Sequence, residues 1–223
     1  GYSPLDNLNP EDLRDNLSGR REDRKLPIPM ANVEMYIGSV TISGVYIPFF
    51  IEPELDPQGT DWSVFGHTDQ QGGEISIVEE NPSNSISNSE GGIRLSGIIG
   101  NLDWAFSWLH AREDLPAIDT FTLPSGMPVP SGALTISSLA ALSRATGQPI
   151  NLAHDRQNIF GVEFETTVSS FGLRGDIAYF DNASFFTRDL KRIRKPVVQA
   201  MVGFDYSGED AWYANIQFFQ SVI

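Results

Sequence analysis

Apolar and polar side chains alternate along four stretches of the chain, and in each stretch the alternation runs twice with a short break between. A period of two predicts β-strands with one apolar and one polar face, and a two-residue break between such strands predicts a tight hairpin. The first hairpin occupies residues 27–50. Ala31, Val33, Met35 and Ile37 share one face and Asn32, Glu34 and Tyr36 the other; Gly38-Ser39 makes the turn, and Val40, Ile42, Tyr46 and Phe50 then alternate with Thr41, Ser43 and Phe49. The second spans 92–110 with its turn at Gly100-Asn101, the third 158–180 with its turn at Ser169-Ser170, and the fourth 196–223 with its turn around residues 207–210. In the third, Phe160, Val162, Phe164 and Val168 oppose Glu163, Glu165 and Thr167, while Phe171, Leu173, Ile177 and Tyr179 oppose Arg174 and Asp176.

The connections between hairpins differ in kind from the turns within them. Residues 1–26 precede the first hairpin, and long segments at 51–91, 111–157 and 181–195 separate the rest. The first of these is acidic and rich in Ser, Asn and Gly, the second carries Pro116, Pro124, Pro128 and Pro130, and the third ends in a basic run. Within 111–157, Leu134, Ile136, Leu139 and Leu142 fit one face of a short amphipathic helix over 134–146, read as a local loop core ahead of a lid at a pore mouth.

Short turns at one end and long loops at the other are the asymmetry of an outer-membrane β-barrel, although a soluble sandwich alternates as well. Three features favour the barrel. The strands are of the length, about 9–11 residues, that crosses hydrocarbon at a tilt. Aromatic residues (Tyr36, Tyr46, Phe50, Trp104, Trp108, Tyr179, Tyr206, Trp212) gather near strand ends, as in interfacial girdles. Charged residues recur mid-strand on the polar face: Glu34, Arg94, Glu163, Glu165, Arg174 and Asp176, which suit a water-filled lumen. The expected fold is therefore all-β, an antiparallel transmembrane barrel with eight strands in this chain.

Composition narrows the function. The 223 residues hold 15 Lys and Arg against 29 Asp and Glu, a net charge of −14, which argues against a nucleic-acid surface. The absence of cysteine excludes disulfides, thiolate zinc sites and a Cys nucleophile. With 40% hydrophobic and 20% charged residues the chain does not read as disordered. The longest apolar run, Gly44 to Ile51, is roughly eight residues, against the roughly 20 that a membrane helix needs. Gly1-Tyr2-Ser3-Pro4 is not a leader, so either a signal has been removed or the chain is an internal piece of a longer protein; Ile223, inside a strand-like run, favours the second.

Several segments together carry a resemblance. Leu8-Asn9-Pro10-Glu11-Asp12-Leu13-Arg14 precedes Glu22-Asp23-Arg24-Lys25-Leu26-Pro27-Ile28-Pro29, and Gly44-Val45-Tyr46-Ile47-Pro48-Phe49-Phe50 follows. Ser107-Trp108-Leu109-His110-Ala111-Arg112-Glu113-Asp114-Leu115-Pro116 ends the second hairpin, and Phe171-Gly172-Leu173-Arg174-Gly175-Asp176-Ile177-Ala178-Tyr179-Phe180 ends the third. In order and spacing, from about Leu8 to Ile223, these resemble a family of large proteobacterial outer-membrane barrels catalogued as a domain of unknown function. The resemblance implies location in a bacterial outer membrane, a porin-like architecture and barrel strands on both sides of this chain. It does not supply a ligand.

The expected function is a porin-like channel or exporter component for an unidentified solute. The second reading is a plugged barrel acting as a scaffold or partner-binding protein. Expected partners are outer-membrane lipid and lipopolysaccharide, with other outer-membrane or periplasmic proteins, and no nucleic acid. Arg188, Lys191, Arg192, Arg194 and Lys195 form a basic cluster suited to lipopolysaccharide phosphates, and a solvated loop end accounts for it equally well. No catalytic group, cofactor or metal is expected. His67, His110 and His154 are scattered, and Asp61, Asp69, Glu74, Glu79 and Glu80 lack the spacing of a calcium loop. His154-Asp155 has serines nearby but none in a nucleophile elbow, and Arg174-Gly175-Asp176 lies within a strand.

Overall fold

Alternation becomes a meander in which each long strand pairs antiparallel with the next long strand of the chain. The computed structural model describes residues 5, 7–14, 21–56, 58–59, 63–65, 75–128, 135–208 and 212–223. Its strands are β1 (Ala31–Ile37), β2 (Val40–Ile47), β3 (Ile77–Glu80), β4 (Glu90–Ile99), β5 (Leu102–Arg112), β6 (Ala117–Thr120), β7 (Ile150–Ala153), β8 (Arg156–Val168), β9 (Phe171–Phe186), β10 (Arg192–Ser207) and β11 (Tyr213–Val222). Eight of them form one antiparallel sheet in the order β1-β2-β4-β5-β8-β9-β10-β11. The sheet is open, with β1 and β11 as its edges, so the eight strands do not close on themselves into a cylinder.

Tight turns lie at one end of this sheet. Gly38 (φ 60°) and Gly100 (φ 63°) supply the left-handed backbone that two-residue hairpins need, and Ser169 (φ 55°) adopts it without being glycine. Part of the fourth turn, residues 209–211, lies outside the described residues.

The register sorts the side chains strictly by face. One row across the sheet runs Val33, Gly44, Ile93, Trp108, Phe160, Tyr179, Val198, Val222, and the next runs Met35, Ile42, Leu95, Phe106, Val162, Ile177, Ala200, Gln220. The opposite face carries Glu34, Ser43, Arg94, Ser107, Gly161, Ala178, Gln199 and Ser221 in one row. Phe171 and Tyr206 pack ring against ring, tilted, near the turn end of the apolar face (5.1 Å between rings), and Trp108, Phe160 and Tyr179 sit near its loop end. Tyr36 departs from the expected girdle, because it lies on the polar face and its hydroxyl donates to Glu34. Phe50 departs as well, packing its ring 4.8 Å from that of His154.

The long connections gather at the other end as a second, smaller unit. β3 pairs parallel with β7, and β7 antiparallel with β6, giving a three-stranded sheet. The helix α1 (Arg21–Arg24) is a single turn, and α2 (Ile136–Thr146) packs on the small sheet. Thr135 and Ser138 form a reciprocal capping box at its start, and Gly147 (φ 67°) closes its end. α2 buries Leu139, Ala140 and Ser143, and the two apolar residues join Ile150, Leu152, Phe121, Phe65 and Ile75 in a core. Ile136 points away at 47% exposure, and Leu134 lies outside the described residues. The helix thus serves a local loop core.

The third connection is shorter than the sequence suggests. The expected loop 181–195 is largely strand, because β9 runs on to Phe186 and β10 starts at Arg192, leaving only residues 187–191 between them. Pro196 cannot donate to the ladder, and the register shifts there, between Lys195 and Val197.

Candidate functional site

The six charged residues expected on a lumen share one face in the structure. Glu34 and Arg94 stand in the same row, Glu163 is directly opposite Asp176, and Glu165 is directly opposite Arg174. The same face also takes Asp103, opposite Glu165, and Asp205, opposite Gly172. These two were legible from alternation but escaped selection, since one stands just past a turn and the other just before one. With them, from the Glu34–Ser221 row to the tight turns and among the described residues, the face carries six acids, Glu34, Asp103, Glu163, Glu165, Asp176 and Asp205, against the two arginines Arg94 and Arg174.

Pairing across strands handles part of this charge. Arg94 donates from Nη2 to Glu163 at 3.1 Å. Arg174 reaches Asp205 at 3.4 Å instead of its direct neighbour Glu165, and Asp205 also accepts from the Tyr213 hydroxyl at 2.6 Å and from the Asn215 amide. An open cleft of about 500 Å³ runs between Arg94, Glu163, Glu165, Arg174, Asp176 and Asp103. At the loop end the same face turns apolar, where Ile159, Phe180 and Val197 pack with Leu5 of the N-terminal segment. Gly161 permits that approach, since a Cβ there would collide with Leu5 and Ser107.

A second polar cluster ties the smaller unit to the strands. Asp155, nearly buried, accepts from Ser184 Oγ at 2.5 Å and from Arg194 Nε and Nη2 at 3.0 and 2.7 Å. Arg192 binds Asp119 at 2.6 Å and stands 3.2 Å from Asp155 as an ion-pair contact without hydrogen-bond alignment. Burial pushes the Asp155 carboxyl up, but the hydrogen bonds from Arg194 and Ser184 and the charges of Arg192 and Arg194 outweigh it and hold its pKa below the ordinary value. Burial raises the pKa of Glu113, whose carboxylate accepts from the Ser184 amide. Two members of the basic cluster, Arg192 and Arg194, are therefore engaged within the protein, while Arg188, Lys191 and Lys195 are exposed around the 187–191 turn.

The remaining candidates separate clearly. His110 lies against Asn158 and Arg156. His154 is buried, with Nδ1 2.8 Å from the Glu113 carbonyl oxygen and Nε2 3.0 Å from Glu79, so neither ring nitrogen is left for a serine. Among the described residues, Glu52, Glu79 and His154 each bring one ligand-type atom to within 4.8 Å of the others. Glu80 is on β3, whereas His67, Asp61, Asp69 and Glu74 lie outside the described residues. Comparison with known proteins returns no matching family model, no matching curated protein and no matching solved structure.

Proposed function

We propose that this chain builds part of the wall of a β-barrel in a bacterial outer membrane, and that its polar face lines a porin-like pathway for a solute. One observation carries the reading: the apolar face of the large sheet is itself left open to the surroundings. Val33 (71%), Phe106 (53%), Val168 (66%) and Ile216 (59%) stand open on it. Between the Val33–Val222 row and the tight turns this face bears no charged side chain among the described residues. A water-exposed protein rarely presents a contiguous apolar surface beyond a few hundred Å², so a face of eight strands calls for hydrocarbon against it.

Dimensions agree. From Tyr179 to Phe171, the two aromatic levels on β9, the strand rises about 27 Å, or about 20 Å across a membrane at a tilt near 40°. That is close to the apolar band of about 25 Å on such barrels. The motif resemblance points to the same location, and exposed Arg188, Lys191 and Lys195 suit contact with lipopolysaccharide phosphates at the loop end.

The acidic excess on the polar face favours cations in the pathway. The full-length protein, reconstituted in a planar bilayer, is expected to give stepwise, cation-preferring conductance. Release of the protein from membranes by alkaline carbonate would overturn the wall. A stable but silent protein would favour the second reading, a plugged scaffold, for which the packing of Leu5 across the polar face speaks.

A further inference from the structure

We propose that His154, Glu79 and Glu52 form a binding site for one divalent transition-metal ion of the zinc type, which staples the loop-end unit together. Hydrogen-bond chemistry carries the inference. The Glu113 carbonyl oxygen, 2.8 Å from His154 Nδ1, can only accept, so Nδ1 holds a proton. In the neutral ring Nε2 then presents a lone pair, yet its partner at 3.0 Å is a carboxylate oxygen of Glu79, another acceptor. Two acceptors face one another, and a second carboxylate, Glu52, converges on the same point.

Positive charge placed between these groups would satisfy them together. A proton on Nε2 balances one carboxylate, and a divalent cation balances both. A buried histidine that donates its other nitrogen to a backbone carbonyl is also how proteins orient a metal-ligating imidazole. The site is asymmetric in the way metal entry requires. His154 is 3% exposed and packed against the Phe50 ring, whereas Glu52 and Glu79 are exposed and line a cleft of about 250 Å³ open to solvent.

Geometry and ligand type select the ion. A tetrahedral site with bonds of about 2.0–2.1 Å separates its ligands by about 3.3 Å. The Nε2–Glu79 distance is already near that, and rotation of an exposed glutamate closes the wider gaps. One imidazole nitrogen with two carboxylates suits zinc over the all-oxygen cages of calcium and magnesium. The three ligands come from chain segments far apart in sequence: just after β2, within β3, and just after β7. A bound ion would fix β3 beside β7, a pairing only four residues long.

The test is titration of ZnCl₂ into chelator-stripped full-length protein in detergent, read by calorimetry, with Co²⁺ as a spectroscopic substitute. One ion per chain, a raised thermal midpoint and the intense visible bands of four-coordinate Co²⁺ are expected. His154→Gln should weaken binding at least 100-fold. Because that residue is buried, Glu52→Gln, at an exposed position, provides an independent arm and should weaken binding about tenfold with folding intact. Absence of zinc binding to the wild-type protein overturns the site, as does undiminished binding in a folded Glu52→Gln, Glu79→Gln double variant. Equal affinity for Ca²⁺ or Mg²⁺ overturns its zinc character.

Discussion

Arg94 on β4 binds Glu163 on β8 across the whole width of β5, two side chains 69 residues apart meeting at 3.1 Å. The bridge is possible because the intervening residues, Ser107 and Ala105, are small. It ties three strands together on the polar face and neutralises one of the six acids between its row and the tight turns; in the proposed pathway the remaining acids would face the solute.

Ion preference should therefore follow the unneutralised carboxylates. The double variant Glu163→Gln, Glu165→Gln should lower the cation-to-anion permeability ratio severalfold in planar bilayers. The difference should shrink at high salt, where screening falls to about 3 Å at 1 M. Unchanged selectivity in a conducting double variant would remove these residues from the pathway.

The two faces should respond oppositely to charge. Val162→Arg or Ile177→Arg, on the exposed apolar face, should destabilise the folded protein in bilayers by about 2–4 kcal/mol. Thr167→Arg, on the polar face, should be nearly neutral. Denaturant titration in vesicles separates the two, and equal losses would point to a dry interior on both sides.

Orientation is open to chemical labelling. Cysteines at Ser87 and Ser125, both in the loop-end connections, should react with an impermeant maleimide on intact cells. One at Ser170, in a tight turn, should react only after lysis. The reverse pattern would invert the sheet in the membrane.

Asp155 anchors β9 and β10 to the smaller unit through Ser184, Arg192 and Arg194. Asp155→Ala should cost about 1–3 kcal/mol by removing the acceptor of the Ser184 hydroxyl and the Arg194 guanidinium at a nearly buried site. The loss should be local, seen as faster hydrogen exchange in β6, β7 and the start of β10 while β1 and β2 keep their protection.

Where a single local rule decides the structure, the sequence could be read closely. Glu163 and Asp176 were assignable to one face because a strand has a period of two, and the hairpin turns followed from Gly38 and Gly100. The 181–195 stretch misled for the opposite reason. Asp181, Asn182 and Ser184 look like loop residues, but their polarity is consumed by partners elsewhere in the fold: Asp181 takes the Asn158 amide, Asn182 donates to the Arg156 carbonyl, and Ser184 donates to Asp155. His154 could not be joined to Glu79, since 75 residues separate them and only the parallel pairing of β3 with β7 brings them together. No local pattern records a long-range parallel contact.

The open edges impose a demand that side chains cannot answer. Along β1 and β11 every second residue directs its amide and carbonyl away from the sheet, toward whatever adjoins it. In water those groups are solvated at little expense. In hydrocarbon each one left bare costs several kcal/mol, and no substitution on either face could compensate, because the deficit belongs to the peptide bond. If the proposed wall is correct, seating this sheet in lipid requires backbone partners along both margins, which makes strand addition at β1 and β11 a condition of membrane entry and not a later refinement of it.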